Sequence, residues 1–136
     1  MTVIYYLKLY LLTVPVFFAI DLLWLGVIAK DLYQKNLAHL LSPTVNWPAA
    51  FAFYLVYITG IILFAVKPAL ADQSLAKAAI WGALFGFFTY ATYDLTNLAT
   101  LKDWPLKIVY IDIVWGTVLC ASVASGSYMI GRWLNS

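Results

Sequence analysis

The sequence predicts an all-α integral membrane protein. The expected fold is a four-helix bundle with antiparallel neighbouring helices and one short interfacial helix after the first span. Three observations carry this expectation. First, 65% of the residues are hydrophobic and 10% are charged, with a mean hydropathy of +0.89; a water-soluble domain carries about 25% charged residues. Second, four apolar stretches, about 3–29, 47–67, 75–99 and 105–132, each supply the ~20 residues that a bilayer crossing needs. Third, no connection between them exceeds about twenty residues, a length that sets consecutive helices side by side and antiparallel. The whole chain, 1–136, forms one transmembrane domain.

The first stretch reads as a retained helix rather than a signal peptide. It has no basic cluster ahead of it, is long, contains Asp21 and lacks a small-residue cleavage site. The connection Lys30–Asn46 places Tyr33, Leu37, Leu40 and Leu41 on one helical face, opposite Asp31, Lys35 and His39; this pattern suits a short helix in the headgroup region. His39 shares the polar face and reads as solvated. Ser42-Pro43 and Asn46-Trp47-Pro48 separate the first two spans, with Asn46 as N-cap. Lys67-Pro68 ends the second, Asp72 or Ser74 caps the third, and Asp103-Trp104-Pro105 opens the fourth with proline in the first turn. Lys8, Lys67, Lys77 and Arg132 fall toward one side of the bundle, and Lys30, Lys35, Lys102 and Lys107 toward the other. Four against four, they assign no orientation under the positive-inside rule.

The chemistry lies in three aspartates placed where hydrocarbon is expected. An acid at mid-membrane costs at least about 2.5–3.5 kcal/mol and marks a functional site by default. Asp21 comes late in the first span, Asp94 late in the third and Asp112 early in the fourth. Helix rise places all three about 8–14 Å inside the same membrane face, where Tyr54 and Tyr57 of the second span reach a similar depth. Trp24 follows Asp21 by three residues, and Trp115 follows Asp112 by three, so each acid shares a helix face with an indole. Tyr90, Tyr93, Asp94 and Asn97 form an i, i+3, i+4, i+7 stripe. Polar groups on facing helices can simply bond one another and hold a bundle together. Three acids at one level with no basic partner point instead to an ionisable core of Asp94, Asp21 and Asp112. Trp24, Tyr54, Tyr57, Tyr90, Tyr93, Asn97 and Trp115 are the surrounding ligand-binding candidates.

Other features exclude function classes. The single Cys120 forms no intramolecular disulfide and no cysteine-based metal site. No two of the three acids share an i, i+3 or i, i+4 spacing, so no metal set is implied, and no cofactor is identified. The chain has no glutamate, no phosphate-binding glycine loop and no nucleophile elbow. A net charge of +2, spread along the chain, implies no nucleic-acid partner. Gly82 and Gly86, and Gly116, Cys120 and Ala124, make small-residue faces for close helix contact within the bundle or in a homo-oligomer.

The run from Tyr90 to Leu106 (YATYDLTNLATLKDWPL), with Asp112–Gly116, Asp21–Gly26, Tyr33 and His39–Leu41, resembles a family of small bacterial membrane proteins. That family is catalogued as domain of unknown function 2177. The resemblance extends over essentially the whole chain and implies a multi-pass, four-helix protein of the bacterial inner membrane. The residues themselves point to a pocket for a membrane lipid or another amphipathic small molecule. In such a pocket, clustered carboxylates can hold and release a proton, and Trp faces can stabilise a cation. Proton-coupled transport of a small molecule and a structural or regulatory subunit are the alternatives.

Overall fold

A computed structural model describes residues 2–136, and every regular element in that range is helical. The helices are α1 (Val3–Leu23), α2 (Lys30–Leu37), α3 (Trp47–Ile61), α4 (Lys67–Ala71), α5 (Leu75–Thr100) and α6 (Leu106–Leu134). A π-helical turn, Trp24–Ile28, extends α1, and a second, Ile62–Val66, fuses α3 to α4. Among the described residues, three continuous helices are long and apolar enough to cross a membrane: Val3–Ile28, Trp47–Ala71 and Leu106–Leu134. The helix α5 has the length but not the apolarity. Thr89, Tyr90, Thr92, Tyr93, Asp94, Thr96 and Asn97 crowd its second half, and these include the polar stripe on which the candidate site is built.

Helix starts follow local chemistry. Thr2 accepts from the Tyr5 N–H, Asn46 from Ala49 and Ser74 from Lys77, each side chain satisfying an amide that the first turn leaves free. Asp72 pairs instead with the Lys77 ammonium. The fourth span begins one residue later than expected, with Pro105 as N-cap rather than inside the first turn. The second span runs past Lys67-Pro68 to Ala71. Pro68 has no N–H to donate, and its ring crowds the carbonyl four residues earlier; the wider π turn just before it lets the chain absorb the proline and stay helical.

Helix α6 is the hub of the packing. Its buried side chains run from Ile108 to Gly131, and α5 makes the most extensive contact with it. A Cβ at Gly82 would strike the Cys120 carbonyl and the Ala124 methyl, and one at Gly86 the Gly116 carbonyl and the Cys120 Cβ. Tyr90 in turn packs its ring directly against Gly116. Residue number thus rises on α5 as it falls on α6, and both small-residue faces are used within the chain. Helix α1 is tied to α6 by the buried Thr13–Ser127 hydroxyl pair at 2.8 Å and by Tyr5 donating to the Gly131 carbonyl at 2.9 Å. Leu9, Phe17, Ile58, Ile61, Ala65 and Leu119 fill the centre. The outward faces are apolar, with Leu11, Val56, Phe64, Phe88, Val114 and Val118 all exposed.

The short helix after the first span differs from its expected form. It ends at Leu37, leaving Leu40 and Leu41 exposed in the following turn and loop. Leu32, Tyr33 and Leu37 pack on Trp104, Ile108 and Val109 at the start of α6. The segment therefore folds back over the bundle end. His39 is exposed, and its Nε2 lies 3.1 Å from the Asp103 carbonyl, beside the α5–α6 turn.

Candidate functional site

The three acids come from three helices and converge. Asp21 lies at the end of α1, Asp94 on the inner face of α5, and Asp112 in the second turn of α6; all are buried, Asp94 completely. Asp112 interacts with both of the others. Among the described residues, no Lys, Arg or His side chain forms an ion pair with any of them. The ion pair present, Lys77–Asp72, lies at the α4–α5 turn.

Their polar surroundings are unequal. Asp112 accepts a hydrogen bond from Tyr33 Oη at 2.7 Å, and Tyr33 Oη accepts one from Trp24 Nε1 at 3.1 Å. Asp21 faces Asp112, the Trp115 indole and the Tyr54 phenol. Asp94 faces Asp112, yet both its oxygens are buried with no hydrogen-bond partner. Trp115 Nε1 is likewise buried and unbonded. Burying an ionised carboxylate costs several kcal/mol unless a counter-charge or proton compensates it. Among the described residues, no cationic side chain pairs with Asp94.

Aromatic groups enclose this centre. Trp24 and Trp115 stack face to face, with centroids 4.5 Å apart and planes at 8°. Tyr33 meets Trp24 edge-on. Burial and the neighbouring Asp112 push the Tyr33 phenol well above its ordinary pKa of 10.0, so it stays a donor throughout the physiological range. A cavity of about 550 Å³ opens beside the acids, lined by Phe53 and Tyr57 of α3, Thr89, Tyr90 and Tyr93 of α5, and Asp112 of α6. Tyr57 Oη is bonded to Thr89 Oγ1 at 2.7 Å and to Cys120 Sγ at 3.1 Å. Of the lining residues, Phe53 of α3 and Tyr93 of α5 are half exposed.

The sequence candidates thus fall into three groups. Asp21, Asp94, Asp112, Trp24 and Trp115 form one cluster, while Tyr57, Tyr90 and Tyr93 line the adjoining cavity. Tyr54 joins Asp21 to the Phe17–Phe18 aromatic packing. Asn97 sits near Tyr93 and makes no hydrogen bond to an acid among the described residues. Sequence reasoning missed Tyr33 as a site residue, and also Phe53 and Thr89. Tyr33 donates its hydroxyl to Asp112 at 2.7 Å, across 79 positions of chain. Among the described residues, no three His, Cys, Asp or Glu side chains assemble as metal ligands. The cluster can do two things chemically: hold a proton between adjacent carboxylates, and offer negative charge with aromatic faces to a ligand in the cavity.

Residues 6–129 match the family model described as "Predicted membrane protein (DUF2177)". No curated protein and no solved structure matches the chain. The match covers most of the sequence and includes all three acids, so the chain belongs to this family of membrane proteins.

Proposed function

We propose that this member of the family binds an amphipathic, membrane-soluble molecule in the lateral cavity, with its polar end against Asp112 and Asp94. One observation carries the reading: a mostly aromatic cavity is lined by the buried carboxylate of Asp112, and Asp112 in turn faces Asp94, whose oxygens find no hydrogen-bond partner among the described residues. A structural role alone would favour satisfied polar groups, since each unsatisfied buried group costs about 1–3 kcal/mol. The protein is a four-helix bundle of the bacterial inner membrane in this proposal, crossing four times. The polar helix α5 is the fourth crossing, packed along α6 and against the Ile62–Val66 π turn and α4. The opening between α3 and α5 faces acyl chains, the direction from which a lipid-like molecule arrives. In this reading Asp112, on the cavity wall, exchanges a proton with the bound headgroup, and Asp94 beside it shares that proton.

Comparative lipid analysis tests this reading. A deletion strain is complemented with wild type or Asp94→Asn, at matched abundance. The expected result is a lipid or amphiphile whose level depends on wild type and is not restored by the variant. Identical profiles in both strains would count against it.

The unpartnered Asp94 beside Asp112 also supports a second reading, proton-coupled transport of a small molecule. Substrate-dependent proton flux in vesicles, abolished by Asp94→Asn, distinguishes it.

A further inference from the structure

The charge balance around the cavity narrows the class of ligand. Three carboxylates meet in a region where water is scarce, and no basic side chain among the described residues pairs with any of them. Tyr33 satisfies one oxygen of Asp112 and closes that acid off on the α2 side. Asp112 also lines the cavity, together with Tyr57, Tyr90 and Tyr93. The other lining residues are Phe53, the phenols Tyr57, Tyr90 and Tyr93, and Thr89, whose hydroxyl is bonded to Tyr57 and to the backbone of its own helix; none carries a formal positive charge. Aromatic faces carry negative potential and attract cations, most strongly when water is excluded. An anionic headgroup would meet unscreened repulsion at close range. A neutral headgroup would bring no counter-charge to Asp112, the acid on the cavity wall.

We infer that the cavity selects an amphiphile of net positive charge: an ammonium group on an alkyl or prenyl-like chain, the ammonium seated against Asp112 and the Tyr90 ring. The inference rests on the amphiphile-binding reading above and deepens it. The cation supplies a counter-charge that no basic side chain among the described residues provides. The chain leaves through the half-exposed Phe53 and Tyr93 mouth toward lipid. A zwitterionic lipid brings a phosphate near the acids, so it binds less well than a simple long-chain amine.

Native mass spectrometry of the full-length protein in non-ionic detergent tests this directly. The probes are hexadecylamine, hexadecanol, hexadecanoate and phosphatidylethanolamine at equal concentration and neutral pH. The expected result is a one-to-one complex with the amine, favoured about tenfold or more over the alcohol. The carboxylate should be excluded and the zwitterion should rank below the amine. Asp112→Asn and Asp94→Asn should each reduce the amine preference, and the double variant should remove it while alcohol binding persists. Equal retention of amine and alcohol by wild type would overturn charge selection and leave the amphiphile reading standing. So would an amine preference that survives in the double variant, or a zwitterion that outranks the amine. If wild type retains none of the probes, both readings fall. The wild-type ranking is decisive by itself should a variant not fold.

Discussion

Asp94 and Tyr33 show at the residue scale what the site gains and what it costs. Asp94 has no hydrogen-bond partner for either oxygen among the described residues, so burying this ionisable group opposes folding, and Asp94→Asn removes the ionisable group while keeping the shape. The variant should unfold in detergent at the same or a higher temperature than wild type while losing ligand retention, as expected where function is held at the expense of stability. A clear fall in its unfolding temperature would mean that Asp94 is structural. Tyr33 is the opposite case, because its hydroxyl joins Trp24 to Asp112. Tyr33→Phe should cost about 1–3 kcal/mol and shift the Trp emission, measured by thermal and denaturant unfolding. Its phenol pKa is raised in the folded protein. Its contribution is therefore constant below about pH 10, the unfolded value, and is lost above it. Tyr33→Phe should accordingly flatten the alkaline loss of stability. The acids were legible in the sequence because a carboxylate within an apolar run stands out without any tertiary information. Tyr33 was not, because a tyrosine near a helix end already has an ordinary role as an interfacial anchor. Its actual partner depends on α2 folding back over α6.

At the scale of elements, the α5–α6 contact decides where Asp94 meets Asp112. It depends on glycines whose replacement would drive a methyl group into backbone or ring atoms. Gly86→Ala should cost about 1–3 kcal/mol as overpacking and should weaken ligand retention through displaced acids. A Cβ at Gly26 would meet nothing within 4 Å, and Gly26→Ala should leave both stability and retention unchanged. Equal effects of the two substitutions, compared by unfolding temperature, would deny the contact its role. Small residues at four-residue spacing were readable as a packing face, although spacing alone does not distinguish a partner helix from a second subunit. The π turns were not readable. The one before Pro68 replaces an expected helix end, because a proline signals a stop equally well whether the chain breaks or widens around it.

For the whole molecule, the positions of the ends define the topology. Gln73 and Asn135 line one pocket at the end that also carries Tyr5 and Gly131. Asp103 meets His39 at the other end. Single cysteines at Gln73 and Asn135, on a Cys120→Ser background, should therefore be labelled from one side of sealed vesicles, and cysteines at Asn36 and Lys102 from the other. Labelling of Gln73 and Lys102 from the same side would remove α5 as a crossing. Helix content and the three most apolar spans follow directly from composition and punctuation. The standing of α5 is less legible because the residues that build the site are the ones that lower its hydropathy.

An amphiphile held in the cavity beside Asp94 and Asp112 should stay with the protein through purification. Wild type and the Asp94→Asn/Asp112→Asn double variant, purified from the same membranes, would be extracted and whatever each carries identified. One amphiphile should be strongly enriched over bulk lipid with wild type and absent from the equally folded double variant. Extracts that match bulk lipid for both proteins would contradict occupancy of the cavity.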